Sequence, residues 1–103
     1  MSLIKATTTL IISCIFITTL AYAKTAEDYL ESGNTKYNQQ DYKGAIQDHN
    51  KAIELNPNYA AAYYGRGFSK LSLGKTDSGC LDLSKAGELG FAEAYETIKK
   101  HCN

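Results

Sequence analysis

The chain repeats itself at an interval of 34 residues. Laid over Ala60–Glu93 without a gap, Ala26–Tyr59 gives nine identities: Ala26/Ala60, Tyr29/Tyr63, Gly33/Gly67, Lys36/Lys70, Asp48/Asp82, Lys51/Lys85, Ala52/Ala86, Glu54/Glu88 and Leu55/Leu89. Shared composition alone gives about two, so the period reflects one supersecondary unit used twice. Such a unit cannot bury its own apolar face and must stack on a neighbour, which restricts the chain to a repeat architecture.

Each unit reads as two helices. The first spans about Thr25 to Gln39, followed by a turn at Gln40-Asp41. Asp41 stands at the capping position of a second helix, Tyr42 to Glu54 or Leu55. Asn56-Pro57-Asn58 ends it, because a proline disfavours helical geometry in the residue before it. A third helix is expected from about Asn58 to Leu73. Gly74 supplies a left-handed stop, and a fourth helix runs from about Thr76 to Leu89, stopped by Gly90. Beyond it, Phe91, Ala94, Tyr95, Ile98 and Cys102 recur at three- and four-residue steps, the stripe of a fifth helix.

These residues resemble the tetratricopeptide repeat. That family's 34-residue unit has an aromatic early in its first helix and a glycine four residues on. Two alanines follow in the second helix, and a proline closes the unit; here they are Tyr29, Gly33, Ala45, Ala52 and Pro57. The segments Asp41 to Ile46 and Lys51 to Pro57 follow the family pattern closely. The second unit keeps Tyr63, Gly67 and Ala86 but has Gly79 for the usual alanine and Phe91 for the usual proline, as suits a terminal repeat before a cap. The resemblance implies an all-α fold, a right-handed α-solenoid of two helix-turn-helix units plus a C-terminal capping helix. Its expected divisions are repeat 1 at 26–59, repeat 2 at 60–90 and the cap at 91–102, within a domain at 24–103. The glycines would mark close helix crossings, and Tyr29 and Tyr63 would bury large areas between helices. Two repeats and a cap lie at the lower limit of what stacking supports.

Residues 1–23 read as a signal peptide. Lys5 gives a positive start, Ala6 to Leu20 is uncharged and largely apolar, and Ala21-Tyr22-Ala23 has the small-large-small pattern of a cleavage site. An apolar run of about 15 residues is short for a membrane span. Alternatives are an uncleaved membrane anchor, or a lipoprotein modified at Cys14, although Ile15, Phe16 and Ile17 keep the following stretch apolar. Cleavage after Ala23 leaves two cysteines in a periplasmic or extracellular setting, with no membrane contact thereafter.

Cys80 and Cys102 are expected to form a disulfide, since an antiparallel helix pair hinged at Gly90 puts one opposite the other. A redox role would call for close spacing such as C-x-x-C, and a metal site of Cys80, Cys102 and His101 lacks a fourth ligand. His49 falls on the inner face of the second helix as a core histidine, and His101 in a last turn, where a cation is favoured. Glu27, Asp28 and Glu31 read as an acidic helix start rather than an acid–base pair.

The chain has 11 basic and 11 acidic side chains, so no cationic excess suits it to nucleic acid. No phosphate loop, nucleophile motif or metal motif appears, and neither catalysis nor a cofactor is expected. In the resembled family the first helix of each repeat lines a concave face. Here that implies a groove of Leu30, Asn34, Tyr37 and Asn38 with Tyr64, Phe68 and Ser72, suited to a protein or extended peptide. The alternative is that Tyr64 and Phe68 only pack between helices. Some family members clamp a terminal carboxylate with lysines, an arginine and two asparagines. Asn34 matches one of these, but Leu30 stands for a clamp lysine and Gly65 for the second asparagine, so that clamp is not expected. The implied function is a non-catalytic binding adaptor; the alternative is a structural subunit that stacks into an assembly or self-associates.

Overall fold

The computed structural model describes residues 23–103. The signal-peptide reading through Tyr22 and the lipidation alternative at Cys14 lie outside the described residues. Among the described residues five helices follow in order: α1 (Ala26–Asn38), α2 (Tyr42–Leu55), α3 (Ala60–Ser72), α4 (Thr76–Glu88) and α5 (Glu93–His101). Each packs against its successor, and α1 also touches α3, bringing the first helices of the two units together. No helix among the described residues is long and apolar enough to cross a membrane.

Local chemistry fixes the boundaries. Thr25 and Asp28 form a reciprocal capping box at α1, with Asp28 N–H donating to Thr25 Oγ1 at 3.2 Å and Thr25 N–H to Asp28 Oδ2 at 2.9 Å. Asp41 caps α2 by accepting from Gly44 N–H at 3.0 Å. The helix hairpins turn through left-handed residues: Gln40 (φ 63°), Gly74 (φ 78°) and Gly90 (φ 105°). All three carry the paired bonds of a Schellman motif, such as Gln40 N–H to Tyr37 O and Asp41 N–H to Lys36 O, both 2.9 Å. Gln40 occupies the slot of Gly74 one repeat earlier, and holds this conformation without a glycine's freedom.

Two elements start later than the sequence suggests. Helix α3 begins at Ala60 rather than Asn58, because the Asn56 side chain accepts from Asn58 N–H at 3.2 Å and holds the Pro57 turn open. Helix α5 begins at Glu93 rather than Phe91, because Phe91 N–H is spent on Ala86 O at 2.9 Å, closing α4.

The core is built largely from small residues. Ala45, Ala52, Ala62, Ala86 and Ala94 are fully buried, and the largest fully buried side chains are Leu83, His49 and Ser69. Tyr29 and Tyr63, expected to bury large areas, are only half-buried. Tyr63 instead donates its hydroxyl to Pro57 O at 3.1 Å, and the Arg66 guanidinium lies 5.3 Å from its ring centre. Tyr95 of the expected α5 stripe is exposed, and Thr97 takes the inward position with Ala94.

Polar ties recur with the repeat. Lys36 pairs with Asp48 at 2.9 Å, and one period later Lys70 pairs with Asp82 at 2.8 Å. Two of the nine repeated pairs, Lys36/Lys70 and Asp48/Asp82, build this bridge between the helices of each unit. Repeat 2 adds Arg66, whose Nε and Nη2 hold the two Asp82 oxygens at 2.8 and 2.7 Å while Nη1 donates to Asn50 at 2.9 Å. In repeat 1 the position of Arg66 is Ser32, whose hydroxyl donates to Asp48 at 2.6 Å. Asp82→Ala removes the buried anion from two half-buried cations and is expected to cost about 3 kcal/mol. Lys51→Ala, at an exposed i,i+3 pair, should cost under about 0.5 kcal/mol; urea denaturation compares the two.

A disulfide joins Cys80 of α4 to Cys102 at the end of α5, with 5.9 Å between their Cα atoms. It closes a loop with a separation of 22 residues. Replacing both cysteines by serine should lower stability by about 3 kcal/mol. Amide exchange should show α5 losing protection before α1 to α4.

Candidate functional site

A file of aromatic rings crosses one side of the molecule. Tyr37 of α1 lies 6.3 Å from Phe68 of α3, Phe68 lies 4.9 Å from Tyr64, and Tyr64 lies 4.4 Å from Phe91. Helical spacing puts Tyr64 and Phe68 one turn apart on α3, and the Gly90 turn brings Phe91 back over them. Tyr42 extends the file beyond Tyr37 at 5.3 Å.

The rings border a groove of about 380 Å³ lined by Asn34, Tyr37, Asn38, His49, Ala61, Tyr64, Gly65, Phe68 and Phe91. Five of the seven residues assigned to a groove from sequence therefore converge: Asn34, Tyr37, Asn38, Tyr64 and Phe68. Ser72 lies in a shallower adjoining depression with Tyr37, Phe68, Leu71 and His101. Leu30 lines neither, being half-buried one turn before Asn34.

His49 closes the groove floor from α2. Its ring is fully buried, and Nε2 lies 3.1 Å from Asn34 Oδ1. A Cβ on Gly33 would fall 2.8 Å from Nε2, and one on Gly65 would fall 2.6 Å from it, so the imidazole fits only because both positions are glycine. Nδ1 is buried without a hydrogen-bond partner. Burial outweighs the favourable Asp48 charge, and the His49 pKa falls to about 4. For Asp48 itself burial acts upward, but the Ser32 hydroxyl and Lys36 outweigh it and hold its carboxyl below the ordinary value.

Phe91, Ala61, Gly65 and His49 escaped the sequence assignment. Phe91 aligns with Pro57 of the first unit, where it departs from the family pattern, and its ring forms a wall of the groove. His49 aligns with Leu83, and both fill the space beside a first-helix glycine, Gly33 or Gly67. That equivalence was the available signal for a buried ring reaching the groove floor.

The cap reaches this site directly. Phe91 stacks on Tyr64, and the Tyr64 hydroxyl lies 3.2 Å from Thr97 Oγ1 on α5. Tyr64 is thus both wall and packing residue, so the two expectations for it are not exclusive.

Paired helices stacked at a 34-residue period, with a ring-lined groove on their first helices, define a helical-repeat interaction module. A family model described as "TPR repeat" matches residues 33–74. The chain is 34% identical over 67 residues to "Protein STIP1 homolog" of Dictyostelium discoideum, covering 65% of this chain and 12% of that protein. It is 33% identical over 75 residues to "Small glutamine-rich tetratricopeptide repeat-containing protein 2" of Mycosarcoma maydis (71% and 21%). It is 38% identical over 74 residues to "Hsp70-Hsp90 organizing protein" of Triticum aestivum (70% and 13%). The chain belongs to the tetratricopeptide-repeat family, and it spans only 12 to 21% of the length of these relatives.

His49 gives the site a pH signature. Its folded pKa lies below its unfolded value of 6.5, so its contribution is complete above that value and is lost as pH falls toward about 4. Stability should drop by about 2 kcal/mol between pH 7 and pH 5. In His49→Leu, which copies the Leu83 slot of repeat 2, most of that slope should vanish from the melting temperature measured against pH.

Proposed function

We propose that the chain is a non-catalytic protein- or peptide-binding adaptor that acts in the cell envelope or outside the cell. The observation that carries the binding reading is the groove: four aromatic rings in file, flanked by the exposed amides of Asn34 and Asn38. Rings supply contact area at little entropic cost, and amides both donate to and accept from an extended main chain. Family membership supports it, and one matched relative is named as an organizer of two other proteins. The compartment is supported by the apolar run ending in Ala21-Tyr22-Ala23 and by the Cys80–Cys102 bridge, which persists where the surroundings are oxidising.

Capture from envelope extract tests the reading. Wild-type protein should retain a discrete partner and sediment alone as a monomer. The double change of Tyr64 and Phe68 to alanine should lower retention at least about tenfold, with most helical circular dichroism kept. Collapse of the helical signal would make these rings packing residues only. Stable self-assembly without a partner would favour a structural subunit instead.

A further inference from the structure

The groove is built for a ligand without charge. We propose that it takes an internal, uncharged stretch of polypeptide carrying an aliphatic or aromatic side chain, and that it rejects a free terminal carboxylate; this rests on the groove reading above. None of its nine lining residues is Lys, Arg, Asp or Glu. The cations on α1 and α3, whose residues form most of its lining, are engaged elsewhere: Lys36 with Asp48, and both Arg66 and Lys70 with Asp82. A carboxylate entering here would give up part of its water and meet no counter-charge among the lining residues.

Sterics point the same way. An asparagine at position 65 could offer an amide to an anion, but its Cβ would start 2.6 Å from His49 Nε2. The buried imidazole therefore keeps the position a glycine and leaves an apolar recess between Ala61, Tyr64 and Phe91. His49 adds no cation, because burial keeps it neutral down to about pH 4. With Asn34 Oδ1 accepting from the neutral ring's Nε2, the exposed Asn34 keeps its NH2 group to donate to a main-chain carbonyl. An apolar side chain in the recess and a carbonyl on Asn34 are together what an internal segment presents.

Two phage-displayed random peptide libraries test this, one with peptides embedded between flanking sequences and one with free C-termini. Enriched sequences, made as free acids and as amides, are measured by fluorescence anisotropy on the full chain. The expected winners are uncharged and apolar. Amidation, or a rise from about 50 to about 500 mM salt, should change their Kd less than about twofold. Backbone shifts in the 15N spectrum should cluster at Asn34, Asn38, Gly65 and Phe91. Enrichment of acidic C-terminal peptides that lose about tenfold or more on amidation, with shifts at the same residues, would overturn the ligand class and leave the groove reading standing. Failure of both libraries, or shifts confined to other helices, would overturn both.

Discussion

Helices whose shared core is made of alanine must lie close together, and here glycines let them do so. A Cβ on Gly67 would fall 3.0 Å from Gly79 O, and one on Gly79 would fall 2.9 Å from Gly67 O, so α3 and α4 meet backbone to backbone. Gly33 and Gly65 leave the volume that His49 occupies. With Leu83 the only large aliphatic side chain fully buried among the described residues, their stability rests on close packing and on the Asp48 and Asp82 ties rather than on bulky burial. A methyl group added at any of these glycines pushes apart two elements at once.

Most of the architecture was legible because repetition is a strong signal. The period fixed which residues are equivalent, and the caps Thr25 and Asp41 and the stops at Gly74 and Gly90 act locally, where sequence spacing is enough. The boundaries that moved did so through single hydrogen bonds, Asn58 N–H to Asn56 and Phe91 N–H to Ala86. The ion pairs were hidden in plain view: Lys36/Lys70 and Asp48/Asp82 are visible as identities, but that they pair follows only from the crossing of two helices. The groove was legible along α1 and α3, where a helical period places side chains on one face. Its floor and far wall were not, since His49 and Phe91 arrive from α2 and from beyond α4.

That far wall joins the cap to the groove. Phe91 and Thr97 touch Tyr64 from one side, and Cys102 ties the end of α5 to Cys80 on α4. A cap in a repeat protein normally shields an open stacking face. Here it also completes one wall of the groove, so whatever loosens α5 also opens one end of that groove. Stability of the last helix and shape of the site are therefore one quantity, held by a covalent bond where stacking alone is weakest.

Among the slots at which the two repeats differ, the one beside the first-helix glycine bears most directly on the groove. Leu83 fills its place beside Gly67 with hydrocarbon and asks nothing of its neighbours. His49 fills the equivalent place beside Gly33 with a ring that costs stability as the medium acidifies and leaves Nδ1 without a partner. A side chain chosen for stability alone would be a leucine there as well. What the histidine provides instead is a bond to Asn34 and, with Gly65, a recess whose floor is polar but uncharged. The histidine thus lies where the two repeats meet around the groove, and the leucine lies in the second unit away from the groove lining.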